Sequence, residues 1–213
     1  MINEKNLLNK KFIAFVDIDE TIFKTFAKVH VVKEEKLVKK LTNKEFNHYE
    51  LKIGERFDFC EFVDGKLFKE TSIPINNVVE QLKKITKKIK KEKNGSRIIF
   101  LTARSDFLDK EEFLESFRMQ GLEIDNKDLM YIERAGNLEQ GSIPEKKKKV
   151  IQKYLTQNKY DYCQLIDDDE KNINVLKEIA QEKNKTKKES RTTFQGFLVD
   201  GEGKTSLIYE ETT

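Results

Sequence analysis

Four short, largely apolar runs punctuate the chain: Phe12–Val16, Arg97–Leu101, Leu129–Ile132 and Tyr162–Ile166. None alternates with polar residues, which is the habit of strands buried on both faces of a parallel sheet. Each run ends abruptly on polar residues, in turn Asp17-Ile18-Asp19, Thr102-Ala103-Arg104, Glu133-Arg134 and Asp167-Asp168-Asp169. Between the runs, apolar residues recur at helical spacing. Val78, Val79, Leu82, Ile85 and Ile89 predict one helix, stopped by Asn94-Gly95. Phe107, Leu108, Phe113, Leu114 and Phe117 predict a helix or helix pair before Gly121. Ile143, Val150, Ile151, Tyr154 and Leu155 predict a third, with Ser142 as cap and Pro144 in its first turn. Ile173, Val175, Leu176 and Ile179 predict a fourth. Strand and helix in this alternation imply an α/β fold built on a doubly wound parallel sheet.

The interval from Thr25 to Ile75 does not fit a single crossover, because the expected helix begins only after it. It mixes β-branched and aromatic runs, Val29–Val32 and Phe57–Val63, with turn signals at Gly54 and Asp64-Gly65. A loop of that length without structure is uncommon. The segment therefore reads as a small, strand-rich inserted cap (25–75) on a core made of 1–24 and 76–213. Near the end, Gln181–Glu189 reads as a polar linker or helix end. Phe194–Val199 and Ser206–Tyr209 flank Gly201-Glu202-Gly203 as a hairpin closing the sheet edge. There is no internal repeat.

Charge changes this picture little. Lys and Arg number 41 against 38 Asp and Glu, a net +3, so overall charge does not mark a nucleic-acid binder. The lysine clusters Lys83–Lys93 and Lys146–Lys149 read first as solvated helix faces. Apolar residues make up 37%, low but sufficient for one core when fifteen Phe contribute. Two cysteines, Cys60 and Cys163, suggest neither a disulfide framework nor a metal-ligand spacing; Cys163 falls in an apolar run and reads as buried. Met1–Lys11 lacks an apolar stretch of signal-peptide length and no segment is long enough to span a membrane. The setting expected is reducing and cytoplasmic.

The acids carry the chemistry. In an open parallel sheet, groups at the carboxyl ends of strands converge on one crevice, so Asp17 and Asp19 should meet Asp167 and Asp168, with Thr102 beside them. Packed carboxylates repel unless a cation neutralises them, and a hard divalent ion such as Mg2+ is the natural partner. Asp17-Ile18-Asp19-Glu20-Thr21 after an apolar strand resembles the DxDxT motif of haloacid-dehalogenase (HAD)-like phosphatases. Thr102 resembles that family's second motif, a lysine before the fourth strand its third, and Ile166-Asp167-Asp168 its fourth, all in family order.

The resemblance implies a HAD-like Rossmannoid core and a Mg2+-dependent phosphatase. Asp17 would be the nucleophile, forming an aspartyl-phosphate, and Asp19 the general acid and base. Asp17, the backbone carbonyl of Asp19 and Asp167 would hold the metal, with Asp168 as a ligand or as a partner behind the ligands. Thr21, Thr102, Ala103 and Arg104 would face substrate. The motif lysine falls among Lys146–Lys149; steps of three and four from Val150, Ile151 and Tyr154 favour Lys147, with Lys146 second. Arg104 reads equally as a surface ion pair; Asn172 could support the metal site but reads first as a helix-face amide; and Asp167–Asp169 could simply cap a helix. The stretches 26–62 and 134–141 are similar to small bacteriophage-encoded phosphatase-like proteins, which implies a nucleotide or nucleic-acid-end substrate. A phosphosugar substrate and a catalytically silent binding module are the alternatives. A receiver domain would place its acidic pair after the first strand and a lone aspartate after a middle one, unlike this chain. No P-loop motif is present.

Overall fold

The apolar runs are strands, and the computed structural model, which describes residues 9–46, 48–185 and 191–213, shows how they are ordered. The expectations for residues 1–8 and for 186–189 lie outside the described residues. In chain order the elements are β1 (Phe12–Val16), β2 (Phe23–Lys24), β3 (Val29–Lys33), β4 (Lys36–Leu41), α1 (Asn43–Phe46) and β5 (Glu55–Asp58). A 3-10 turn (Cys60–Val63), α2 (Gly65–Thr71), β6 (Ile73–Pro74), α3 (Asn76–Glu92), β7 (Arg97–Thr102) and α4 (Lys110–Met119) follow. The chain ends with β8 (Met130–Arg134), a 3-10 turn (Ala135–Asn137), α5 (Ile143–Gln157), β9 (Tyr162–Asp167), α6 (Glu170–Lys185), β10 (Thr193–Val199) and β11 (Thr205–Thr212).

The protein is α/β, with a six-stranded sheet of order β11-β10-β9-β1-β7-β8. All neighbours are parallel except β10 and β11, which form the antiparallel hairpin at the edge. The pleat of β1 divides the core. Phe12, Ala14 and Val16 pack with α3 and α4 on one face, while Ile13 and Phe15 pack with α5 and α6 on the other. The chain runs from β1 outward through β7 to β8, then returns to β9 on the opposite side of β1. That reversal makes a topological switch point between β1 and β9, the position where ligands bind in open α/β sheets.

The segment between β2 and β6 is a separate three-stranded antiparallel sheet, β4-β3-β5, with its own small core of Val29, Val31 and Leu41. Its entry and exit are tied together, since β2 and β6 pair antiparallel and Ile75 N–H donates to Ile22 O at 2.8 Å. Strand character stops earlier than the apolar run suggests: Phe57 ends in β5, whereas Cys60–Val63 is a 3-10 turn. The segment rests on α4. The carboxylate of Asp109 accepts from Gly65 N–H at 2.6 Å and Lys66 N–H at 2.7 Å, and Leu108 N–H donates to Val63 O at 3.2 Å. Gly65 is needed there because a Cβ would lie 2.6 Å from the Asp109 carbonyl oxygen.

One helix, α4, stands where a helix or pair was expected, and it begins after Phe107 and Leu108. Phe107 instead turns into the core and stacks on Phe113 at 3.9 Å, while Leu108 is 92% exposed. Among the described residues, no helix is long and apolar enough to cross a membrane.

Candidate active site

Asp17 is carried to the rim by β1 and kept in line with β9 by its N–H, which donates to Ile166 O at 2.9 Å. The backbone then coils tightly, Ile22 and Phe23 N–H both donating to Ile18 O at 3.0 Å, with Glu20 in the left-handed region at φ 57°. This turn lets Asp17 and Asp19 leave the strand in different directions. Glu20 holds the next turn by accepting from Thr25 N–H at 2.9 Å.

Asp17 meets Lys147. Of the four consecutive lysines, Lys147 is the one that α5 buries, at 1% exposure, and its Nζ lies 2.6 Å from both Asp17 Oδ1 and Asp167 Oδ2. A ladder of helix contacts explains the choice, since Val150, Ile151 and Tyr154 on the same face are buried against the sheet. Glu145 fixes the start of α5, accepting from Ser142 N–H at 2.7 Å. Asp167 is fully buried at the end of β9, and its Oδ1 accepts from Asp169 N–H at 3.0 Å and Asn172 Nδ2 at 2.9 Å. Asn172 is therefore not a solvent-facing amide; it turns inward from α6 onto the acid. The signal that favours this over the first reading is its place beside Ile173 and Leu176 on the buried side of that helix.

Electrostatically this is a strained group held by one cation. Burial raises the pKa of Asp17 well above the ordinary carboxylate range; Lys147 pulls it back and the charges of Asp167, Asp19 and Asp168 push it further up. Burial works against the charge of Lys147, yet Asp167 and Asp17 outweigh it and hold the ammonium above its usual range. Asp168 stands at the open end of the group; loss of water around its carboxylate and the charge of Asp167 still push it up to about 7.

Asp19 goes elsewhere. Its carboxylate is forked by Arg104, with Nη2 2.6 Å from Oδ1 and Nε 3.1 and 3.0 Å from Oδ1 and Oδ2. Arg104 is not on the surface: it is 3% exposed, stacked near the rings of Phe62, Phe68 and Phe107 at 4.8, 5.0 and 5.9 Å. Its Nη1 donates to Phe62 O at 3.0 Å, so the one side chain joins the acid at the rim to the inserted segment. Burial opposes ionisation of Asp19, but the guanidinium outweighs it and the pKa is lowered. Thr102, fully buried at the end of β7, accepts from Arg104 N–H at 3.0 Å, and Ala103 is exposed beside it. Gly136 packs under this turn, where a Cβ would lie 2.3 Å from Ala103 O. Thr21 is fully buried, and its hydroxyl has no hydrogen-bond partner among the described residues.

The donor set fits a hard cation. Asp17, Asp167 and Asp168 each offer a carboxylate oxygen within 4.8 Å of the others, and the buried Asn172 Oδ1 behind Asp167 has no hydrogen-bond partner among the described residues. The side chain of Asp19 is not in this group, which leaves its backbone carbonyl for the metal role expected of it. Comparison with models of protein families, with curated proteins and with solved structures gives no match.

Proposed function

We propose that this chain is a HAD-like phosphatase that hydrolyses a phosphomonoester through an aspartyl-phosphate on Asp17. On this reading 1–24 and 76–213 form the catalytic core and 25–75 is a cap. The observation that carries it is the buried lysine set between Asp17 and Asp167 at the ends of adjoining parallel strands, with Asp168 beside them. An isolated structural ion pair needs one carboxylate; three around one lysine leave negative charge for a divalent ion and a phosphate to complete. Asp17, Asp167 and Asp168 would hold Mg2+, which when bound supplies charge neutralisation for the transferring phosphoryl group.

The chain's own residues then divide the work. The Asp17 carboxylate attacks phosphorus as the ester P–O bond breaks, and the leaving alkoxide takes a proton from the Asp19 carboxylic acid. A water next attacks the aspartyl-phosphate, giving its proton to the Asp19 carboxylate, and free phosphate leaves as the acyl oxygen returns to Asp17. Lys147 balances the Asp17 charge, and Thr102 orients a phosphoryl oxygen. Asp19 must be released from Arg104 to carry a proton, since the fork favours its ionised form. The resemblance to phage-encoded relatives favours a nucleotide or nucleic-acid end over a phosphosugar as substrate.

That same fork favours a second reading, a silent phosphate-binding module, in which Asp19 never titrates. Turnover separates the two. The full chain should hydrolyse an aryl phosphate with Mg2+, stop in excess chelator and lose activity as Asp17→Asn. Stable phosphate binding with no Mg2+-dependent turnover on aryl or alkyl phosphates would select the silent module.

A further inference from the structure

The inserted segment brings together a second set of ligand atoms, away from the acids of the sheet. His30 on β3, Asp58 at the end of β5 and Cys60 in the following turn each present a ligand atom within 4.8 Å of the others. His30 Nδ1 lies 3.4 Å from Cys60 Sγ, and Asp58 Oδ1 accepts from Cys60 N–H at 2.9 Å, which holds the turn. The sequence hides the set because β3 and β5 are far apart in the chain and become neighbours only when they pair, His30 opposite Asp58.

Orientation is the stronger argument. The other ring nitrogen of His30, Nε2, lies 2.7 Å from Glu61 Oε1. A carboxylate accepts only, so Nε2 carries the proton, and in the neutral imidazole it is Nδ1 whose lone pair faces Cys60. Glu61 is itself fixed, by Lys28 N–H at 2.7 Å and Lys40 Nζ at 2.7 Å. A histidine held by a carboxylate on one nitrogen, with the other aimed at further ligands, is the arrangement that presents imidazole to a metal. An ordinary thiol–imidazole hydrogen bond needs neither Asp58 nor Glu61.

We propose that His30 Nδ1, Cys60 Sγ and Asp58 form a binding site for Zn2+ or a similar thiophilic divalent ion. One nitrogen, one sulfur and one oxygen donor suit tetrahedral Zn2+, with a fourth position left to water. Ligands of such an ion stand roughly 3.3–3.8 Å apart, from metal–ligand bonds of about 2.0–2.3 Å, so the side chains need close by only about 1 Å. Binding exchanges the Cys60 S–H proton for the metal–sulfur bond, and that proton leaves to solvent. The site pins β3, β5 and the turn that bears Phe62, whose carbonyl accepts from Arg104. It does not depend on the chemistry proposed for Asp17.

Co2+ titration of the full chain, with the acid site first filled by Mg2+, tests this through a signal that oxygen ligands cannot give. One equivalent should produce a thiolate-to-cobalt charge-transfer band in the near ultraviolet and an intense four-coordinate visible spectrum, both removed by Zn2+. Cys60→Ser, a near-isosteric change at an exposed position, should lose the charge-transfer band; Cys163→Ala should keep it. Glu61→Gln should weaken binding by roughly 10- to 100-fold. Absence of the band in the folded wild-type protein, or its survival in Cys60→Ser, would overturn the proposal.

Discussion

Lys147 and Arg104 are both buried cations set against the two carboxylates of Asp17-Ile18-Asp19, yet they are held in different ways. Lys147 stands wholly within the sheet and α5, bridging acids at the ends of β1 and β9. Arg104 is tied on one side to Asp19 and on the other to the carbonyl of Phe62 in the inserted segment, among rings that come from both. The half of the site assigned to the nucleophile is thus built by the sheet. The half assigned to proton transfer is shared with the insert. Any movement of the segment 25–75 would reach Asp19 before it reached Asp17.

Breaking the Lys147 side should have the larger effect. Lys147→Met leaves Asp17 and Asp167 buried without their cation, and the metal-free protein should lose about 3–5 kcal/mol of stability. Denaturant unfolding with and without Mg2+ checks this, and Mg2+ should restore part of the loss because it meets the same acids. Arg104→Ala should behave otherwise: without the guanidinium that favours its ionised form, Asp19 should hold its proton to higher pH, and the limb of the alkyl-phosphate pH–rate profile that needs it protonated should move up. Mg2+ affinity should stay unchanged, so steady-state kinetics across a Mg2+ series separates the two cations. The smallest effect is expected at the seam itself. Asp109→Ala removes the acceptor for Gly65 and Lys66 N–H and should cost about 1–2 kcal/mol. Amide hydrogen exchange should then quicken in α2 and around Phe62, while the β1 and β9 amides keep their protection.

The sheet side was also the legible side. Strands buried on both faces write themselves as unbroken apolar runs, and β1, β7, β8 and β9 all lie within a residue or two of those runs. The helix period of α5 favoured Lys147 but left Lys146 open, and it is Lys147 that the helix buries. The other side was not readable, since its determinants are contacts between distant segments. Nothing local in Arg104 says that Phe62 will offer it a carbonyl and a ring. His30 and Cys60 hide for the same reason: antiparallel pairing of β3 with β5 joins them, and no spacing along the chain records it. Phe107 and Leu108 kept a helical pattern without being helical, since burial of Phe107 alone satisfied it.

If Asp17 is the nucleophile, it becomes phosphorylated during turnover. Asp19→Asn protein should still be attacked on an activated aryl phosphate, whose leaving group departs largely unaided, but should lack the base for the second step. Rapid quenching in acid followed by peptide mass analysis should then find phosphate on the peptide bearing Asp17, appearing with the burst of phenol and absent from Asp17→Asn. Turnover with no phosphorylated Asp17 peptide at any quench time, or the same phosphopeptide yield from Asp17→Asn, would rule out Asp17 as the nucleophile.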